Sequence, residues 1–135
     1  MRVIIISEHY HPRVCGAERV AEMIAGAVVQ SGWESHVFTS GDRTGTEFVN
    51  GVMMHRFDIA GNLAKGISGD TAAIKKRLAE LKPDIIIVYA LQTWGSDIVL
   101  GTPGIARNGS KIIPVSYTHL RAHETGRQIS YAVNC

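Results

Sequence analysis

Cysteine is scarce in this chain, which has only Cys15 and Cys135 among its 135 residues. The two lie far apart in sequence, and neither belongs to a spacing typical of zinc ligands. The sequence therefore predicts neither a disulfide framework nor a zinc site, and it fits a reducing cytoplasm.

Long apolar runs are missing as well. The run that opens the chain, Val3 to Ile6, comes directly after Arg2. It is much shorter than the roughly 20 residues that a helix needs to cross a bilayer. Its length is that of a strand, which also argues against a signal peptide. We therefore expect a soluble protein located in the cytoplasm.

The chain also lacks a strong excess of charge of one sign. Lys and Arg number 14 and Asp and Glu number 12, which gives a net charge of +2. The sequence has no basic stripe with interleaved aromatic residues, the pattern typical of proteins that bind along a nucleic-acid backbone. We therefore do not expect nucleic acid to be the main partner. With 45% hydrophobic residues, the chain is long enough for one compact core.

Short apolar runs, by contrast, recur along the chain. Continuous β-branched runs are typical of strands that helices cover on both faces, whereas half-exposed strands alternate. On this basis we predict strands at Val3–Ile6, His36–Thr39, Gly51–Phe57, Ile85–Val88 and Lys111–Val115. Residues 40–45 and 61–69 are rich in turn formers and are predicted to be loops.

Two stretches between these strands have helical periodicity. The first covers residues 17–31 and is expected to end at Gly32. Its predicted buried face consists of Val20, Met23, Ile24, Ala27 and Val28. The second is expected to begin after Asp70 and to end before Pro83. Its predicted buried residues are Ile74, Leu78 and Leu81, while Lys75, Lys76 and Arg77 are expected to face water.

Strands that alternate with helices indicate the fold class. Parallel strands joined by right-handed crossovers give an α/β domain with a doubly wound parallel sheet. Ligands bind such sheets at the carboxyl ends of the strands. Between the last two predicted strands, the residues 101–104 interrupt what would otherwise be a helix.

The loop after the first strand reads SEHYHPRVCGAER from residue 7 to residue 19. Unpaired N–H groups at the start of the next helix point outward and carry partial positive charge. Gly16 allows a ligand to approach the backbone closely, Arg13 adds a positive charge and Pro12 fixes the direction of the loop. The stretch therefore favours a phosphate or a sugar hydroxyl, with a simple turn before a helix as the alternative.

A dinucleotide site receives little support from the same loop. The G-x-G-x-x-G fingerprint is missing. Asp42 follows the second predicted strand. It could be the acidic residue that binds the ribose in a dinucleotide site.

Two segments carry a resemblance to a known family. MRVIIISEHY, together with PRVCGAER at residues 12–19, resembles the amino-terminal domain of the GT-B glycosyltransferases of family 4, whose first loop commonly reads P-P-x-x-G-G-A-E-R. LKPDIIIV at residues 81–88 is similar to the K-P-D strand entry of the same family. The resemblance covers about the first 115 residues. It implies a Rossmann-like domain over residues 1–115, the amino-terminal half of a GT-B fold.

The resemblance also implies an activity. Such an enzyme moves a sugar from a nucleotide-diphosphate donor to an acceptor with retained anomeric configuration, and it requires no metal or other cofactor. The implied partners are a nucleotide-diphosphate sugar and a sugar or lipid-linked acceptor, with possible peripheral membrane contact in the full-length enzyme. The resemblance fixes neither the oligomeric state nor the catalytic residues.

The resemblance implies binding roles for the opening loop. Gly16 would contact the donor diphosphate, and Arg13, His9 and Tyr10 would lie at the acceptor side. The other substrate-binding residues implied are Cys15 and Glu18. Glu18 has an alternative role, because an acidic residue in a first helical turn complements the helix dipole.

This sequence departs from the family in two respects. Cys15 replaces the first glycine of the usual pair, which affects how freely the loop can adopt a positive φ. The second domain, which in the family carries most donor contacts, has no counterpart among these 135 residues. We therefore expect this chain alone to be inactive.

The carboxyl-terminal 20 residues, 116–135, look unlike the rest. SYTHLRAHET at residues 116–125 resembles the translation of a transposase-type sequencing adapter, and ISYAV at residues 129–133 resembles its continuation. A helix would place His119 and His123 on one face beside Glu124, as in a metal site. Because the tail is expected to be non-native, we assign those histidines no function.

Two other functions remain as alternatives. One is a dinucleotide-binding oxidoreductase fragment, and the other is a non-enzymatic, flavodoxin-like interaction module.

Several individual residues have more than one interpretation. The His9-x-His11 pair has no third metal ligand in view. His36 and His55 are expected to be structural residues within strands. Trp94 could stack on a sugar or belong to the core.

Overall fold

A computed structural model of the chain describes residues 1–8, 10, 16–42, 44–62, 66–89, 93–102, 104 and 109–115, without the side chains of residues 16, 17 and 62. The adapter-like tail predicted for residues 116–135 lies outside this range.

The described elements alternate between strand and helix, except that five strands follow one another between the first two helices. In chain order they are β1 (Arg2–Ile6), α1 (Gly16–Gln30), β2 (Glu34–Ser40), β3 (Gly45–Val49), β4 (Val52–Phe57), β5 (Ile59–Asn62), β6 (Gly66–Gly69), α2 (Thr71–Leu81), β7 (Ile85–Tyr89), α3 (Trp94–Leu100) and β8 (Lys111–Val115).

The central sheet has six strands in the order β3-β4-β2-β1-β7-β8. Its strands are parallel except β3, which pairs antiparallel with β4. The chain first builds the sheet outward from β1 through β2 and then returns to the other side of β1 with β7. The predicted α/β class with a parallel sheet is thus confirmed, and its topological switch point lies between β1 and β7.

Helices pack against both faces of this sheet. One core cluster joins Ile4, Ile6 and Phe38 to α2 and α3, and another joins Val3, Ile5 and Val37 to α1. Neighbouring residues of a strand point to opposite faces, so a continuous apolar run serves both clusters. The five predicted strands are confirmed, as β1, β2, β4, β7 and β8.

The predicted buried face of α1 is right for Val28 and in part for Ile24, but it is wrong for the other three residues. Met23 is 73% exposed and Val20 39%, and Ala27 is exposed as well. The residues that face the sheet are Glu18, Ala21, Ala25 and Val28. Apolar residues surround much of this helix, so spacing alone does not select one face. Small alanines allow the helix to lie close to the strands.

The end of α1 agrees with the prediction. Gly32 has a φ of +79°, the left-handed conformation expected of a residue that ends a helix. Its amide donates to the carbonyl of Val29 at 3.0 Å, and the amide of Trp33 donates to Val28 at 3.2 Å. These bonds satisfy carbonyl groups of the last turn.

A β-hairpin that the sequence pattern did not predict joins β3 and β4. Asn50 and Gly51 form its two-residue turn, with φ values of 52° and 83°. Asn-Gly is the preferred pair for such a turn, because both central residues need a positive φ. A Cβ on Gly51 would lie 2.9 Å from Cγ1 of Val29, so the hairpin also packs closely against α1.

The loop predicted for residues 61–69 is also wrong in part. β5 and β6 pair there as a two-stranded antiparallel sheet. The segment is short and rich in glycine, and it lacks the apolar alternation from which strands are predicted.

Helix α2 begins and ends as predicted. The carboxylate of Asp70 accepts a hydrogen bond from the amide of Ala73 at 3.1 Å, and Lys82 ends the helix with a φ of 47°. Ile74 and Leu78 are buried. Arg77, predicted to face water, is instead half-buried and contacts His55.

β8 lies at one edge of the six-stranded sheet. The amide of Lys111 donates to the carbonyl of Asp84 at 2.9 Å, and Pro114 pairs in register with Val88. In a parallel strand, alternate residues direct their backbone groups to the same side. Lys111 and Ile113 therefore bond toward β7, whereas Ile112 and Pro114 direct their backbone outward.

Candidate functional site

The candidate site lies at the carboxyl edge of the sheet, where β1 ends and α1 begins. Hydrogen bonds hold the start of the connecting loop against β2. The amide of Ser7 donates to the carbonyl of Phe38 at 3.0 Å. The carbonyl of Glu8 accepts from the hydroxyl of Thr39 at 3.2 Å, from the amide of Ser40 at 3.2 Å and from the Ser40 hydroxyl. The chain thus enters the loop in a fixed direction.

Five residues with predicted roles in this loop lie outside the described residues. They are His9, His11, Pro12, Arg13 and Cys15. Gly16 is described as the first residue of α1, a helix of 15 residues. The first amides of a helix have no partner within it, and the helix dipole adds partial positive charge there. The backbone at Gly16 is therefore suited to an anion.

Glu18 is the most informative side chain of the site. It lies in the first turn of α1, yet only 5% of it is exposed. Among the described residues its Oε2 has no hydrogen-bond partner. Glu18 precedes Ala21 and Ala25 on the inner face of the helix, so its carboxylate is directed toward the sheet rather than toward water. A buried carboxylate oxygen without a partner is costly, which indicates a position for a ligand donor.

Tyr10 is buried against the inner face of α1, in the same core cluster as Ala21 and Val52. Burial, together with the smaller effect of the negative charge of Glu22, raises the pKa of its phenol to about 12. The phenol is therefore neutral at physiological pH. It lines a groove of about 180 Å³ between α1 and the β3–β4 hairpin. The other lining residues are Glu22, Gly26, Val49, Asn50 and Val52.

The start of α3 packs against the carboxyl end of β1. Trp94 is fully buried in the core, so the core interpretation of this residue is confirmed and stacking on a sugar is not supported. Its indole Nε1 has no hydrogen-bond partner among the described residues. A Cβ on Gly95 would lie 2.4 Å from Cγ2 of Ile6, which shows how closely α3 approaches β1.

A buried polar chain elsewhere in the molecule was not predicted from the sequence. His36 and His55 lie in strands as expected, but their rings stack with centroids 5.1 Å apart and form a 2.9 Å hydrogen bond. Arg77 of α2 lies 2.8 Å from His55. One signal was available, because residue 77 is three positions after Ile74 and so lies beside the buried stripe of α2.

The described side chains contain no group of three or more histidine, cysteine, aspartate or glutamate residues that could hold a metal ion. Within the described ranges, no helix has both the length and the apolar character that crossing a bilayer requires. No protein-family model matches the chain, and a search of curated proteins finds no similar sequence.

Proposed function

We propose that this chain is the part of a retaining glycosyltransferase that holds the acceptor and forms one wall of the donor diphosphate pocket. The donor is a sugar on a nucleoside diphosphate, and the acceptor is a sugar or a lipid-linked acceptor. The observation that carries the proposal is the position of Gly16. It begins α1 directly after β1, beside the switch point of the sheet, where α/β domains of this kind bind ligands.

A diphosphate leaving group suits the first turn of α1. Negative charge grows on the leaving diphosphate as the bond to the donor sugar breaks, and fixed dipoles that face this charge lower the barrier. The amides at the start of α1 supply such dipoles. Arg13, in the preceding loop, would add a full positive charge.

The carboxylate of Glu18 requires a different partner from the amides. It carries the same sign of charge as a diphosphate, so the two repel each other. A hydroxyl can donate a hydrogen bond to the unpaired Oε2. We therefore assign Glu18 to a hydroxyl of the donor sugar or the acceptor. This assignment agrees with the substrate-binding role that the family resemblance implies.

Titration of the ¹⁵N-labelled chain with sugar nucleotides tests the proposal. We expect a nucleotide-diphosphate sugar, from a panel with different bases and sugars, to shift the amide signals at residues 16–18. Gly16→Ala adds a methyl group where the backbone is expected to approach the diphosphate, and it should weaken binding several-fold. Gly26→Ala is the matched control, because a Cβ on this glycine of the same helix meets no atom within 4 Å.

A dinucleotide-binding oxidoreductase fragment is the second candidate. Asp42 is exposed and lies just after the end of β2, the position at which an acidic residue can bind a ribose. NAD in the same titration separates the two candidates. Binding of NAD without binding of any sugar nucleotide would overturn the glycosyltransferase proposal. Because the second domain carries most donor contacts in the family, the untruncated protein is titrated as well, and binding of neither ligand there would favour the flavodoxin-like interaction module.

A further inference from the structure

The side chains of Arg77, His55 and His36 form a hydrogen-bonded polar chain between α2 and β2, and each of its hydrogen bonds has a definite direction. The guanidinium of Arg77 can only donate, so Nδ1 of His55 accepts its hydrogen bond. A neutral His55 then carries its proton on Nε2 and donates to Nδ1 of His36 across 2.9 Å. His36 in turn carries its proton on Nε2, which lies 3.4 Å from Oε1 of Glu34 but makes no hydrogen bond to a described residue. One tautomer of each ring is therefore specified.

Both imidazoles lie in an environment that favours their neutral form. His36 is 4% exposed and His55 is 3% exposed. Burial lowers the pKa of His55 to about 4, with further contributions from His36 and Arg77. Burial also lowers the pKa of His36, although Glu34 opposes this effect.

Any proton added to the imidazoles of His36 and His55 breaks a hydrogen bond of the polar chain. A proton on Nδ1 of His55 would face the N–H groups of Arg77. A proton on Nδ1 of His36 would face the Nε2–H of His55. If His55 changed tautomer so that its Nε2 could accept a hydrogen bond from that N–H, its own Nδ1–H would again face Arg77. The two hydrogen bonds of the polar chain therefore exist together only while both imidazoles are neutral.

The polar chain connects three parts of the fold, which are β2, the β3–β4 hairpin and α2. His36 belongs to β2 and His55 to β4, while Arg77 of α2 also contacts the hydroxyl of Thr46 in β3 at 3.4 Å. The charged groups that face the chain are Arg2 and Glu34 at one end and Arg77 with Glu80 at the other. The Glu47–Arg56 pair of the hairpin lies on the opposite face of the sheet, because strand residues alternate.

We propose that the polar chain Arg77–His55–His36, which ends beside Glu34, is a proton-sensitive clasp that holds α2 and the β3–β4 hairpin to β2. Uptake of a proton by the imidazole pair breaks the clasp and loosens both elements. β7 and β8 have no part in it, and β1 contacts it only through the Arg2–Glu34 ion pair, so these strands stay ordered. The clasp is thus a conformational device remote from the loop at Gly16.

NMR of the complete chain tests the clasp directly. Imidazole ¹⁵N signals should show protonated Nε2 and unprotonated Nδ1 for both rings at pH 7.5. Arg77→Gln removes the adjacent positive charge and should raise the pKa of His55 by about half a pH unit or more. Lys76→Gln makes the same charge change on an exposed neighbour in α2 and should leave that pKa unchanged. A protonated Nδ1, or a pKa of His55 at or above 6.5 in the unsubstituted chain, would overturn the proposal.

Amide hydrogen exchange tests where the structure loosens. After correction for intrinsic rates, protection of the hairpin (residues 45–57) and of α2 should fall at least several-fold more between pH 7 and pH 4.5 than protection of β1 and β7. Equal loss throughout the sheet would indicate global unfolding and would contradict a local clasp. Exchange that stays unchanged at pH 4.5 would also overturn it.

Discussion

The helices α1 and α2 pack on opposite faces of one sheet with different kinds of side chain. α2 buries the large residues Ile74 and Leu78. α1 instead directs Ala21, Ala25 and the carboxylate of Glu18 inward, while Met23 stays exposed. The α2 interface therefore depends on the volume that its side chains fill. The α1 interface depends on how closely its backbone approaches the strands, which makes it sensitive to added volume.

Removing volume from α2 should have the largest effect. Ile74→Ala deletes a fully buried side chain and should lower the free energy of unfolding by about 3 kcal/mol. Met23→Ala also removes a large apolar side chain, from α1, but because it is exposed the change should stay within about 0.5 kcal/mol. Urea denaturation measures both. Similar losses in the two variants would contradict the assigned faces.

Adding volume to α1 should have the next largest effect. Ala25 is fully buried, so Ala25→Leu should lower the free energy of unfolding by about 2 kcal/mol through overpacking. Ala27→Leu adds the same volume to the exposed face and should change stability by less than about 0.5 kcal/mol. Urea denaturation compares the two variants. If Ala25→Leu is tolerated equally well, α1 does not lie as close to the sheet as described.

Acid should destabilise the α2 side of the sheet. The pKa of His55 is lower in the folded chain than in the unfolded chain, so the unfolded chain binds more protons. The stabilisation is therefore present above about pH 6.5 and is lost as the pH falls toward 4. We expect the loss to be about 2 kcal/mol, measured by urea denaturation across this pH range. His55→Gln should show a shallower dependence, and an unchanged slope would count against this explanation.

The cap of α2 should contribute less. Asp70→Ala removes the hydrogen bond to the amide of Ala73 and should cost about 1 kcal/mol. Asp58→Ala changes an exposed aspartate just before β5 and should leave stability within about 0.5 kcal/mol. Thermal denaturation of the two variants side by side separates loss of the cap from loss of negative charge.

Glu18→Gln should have the smallest effect on stability, and the effect should be favourable. Because the buried Oε2 has no partner among the described residues, removing its charge should raise the free energy of unfolding by up to about 1 kcal/mol, measured by urea denaturation. Glu22→Gln, one turn further along α1 and exposed, is the matched control and should be near neutral. Destabilisation by Glu18→Gln would mean that the carboxylate already has a partner within the protein.

The fold could be predicted where burial imposes a pattern on the sequence. β1 and β7 lie in the middle of the sheet, so both faces require apolar residues and the runs are continuous. β3 is an edge strand with mostly exposed residues, and no such run identifies it. The Asn50-Gly51 pair was nevertheless a local signal for its hairpin.

The candidate site could be predicted in position but not in detail. A glycine between a buried strand and a helix was enough to locate the start of α1 near Gly16. The burial of Glu18 was not predictable, because it depends on which face of α1 meets the sheet. The imidazole pair was missed for a similar reason, since register between β2 and β4 brings the rings together and no local pattern records it.

Pro114 limits how the sheet can grow at β8, which is an edge strand among the described residues. A foreign strand that docks there needs a ladder of main-chain donors, and of the two outward positions, Ile112 and Pro114, the proline supplies none. A strand added at this edge would therefore find an incomplete set of main-chain N–H donors. The residue is in this respect a safeguard against sheet-to-sheet polymerisation, of the kind that natural proteins place on exposed margins.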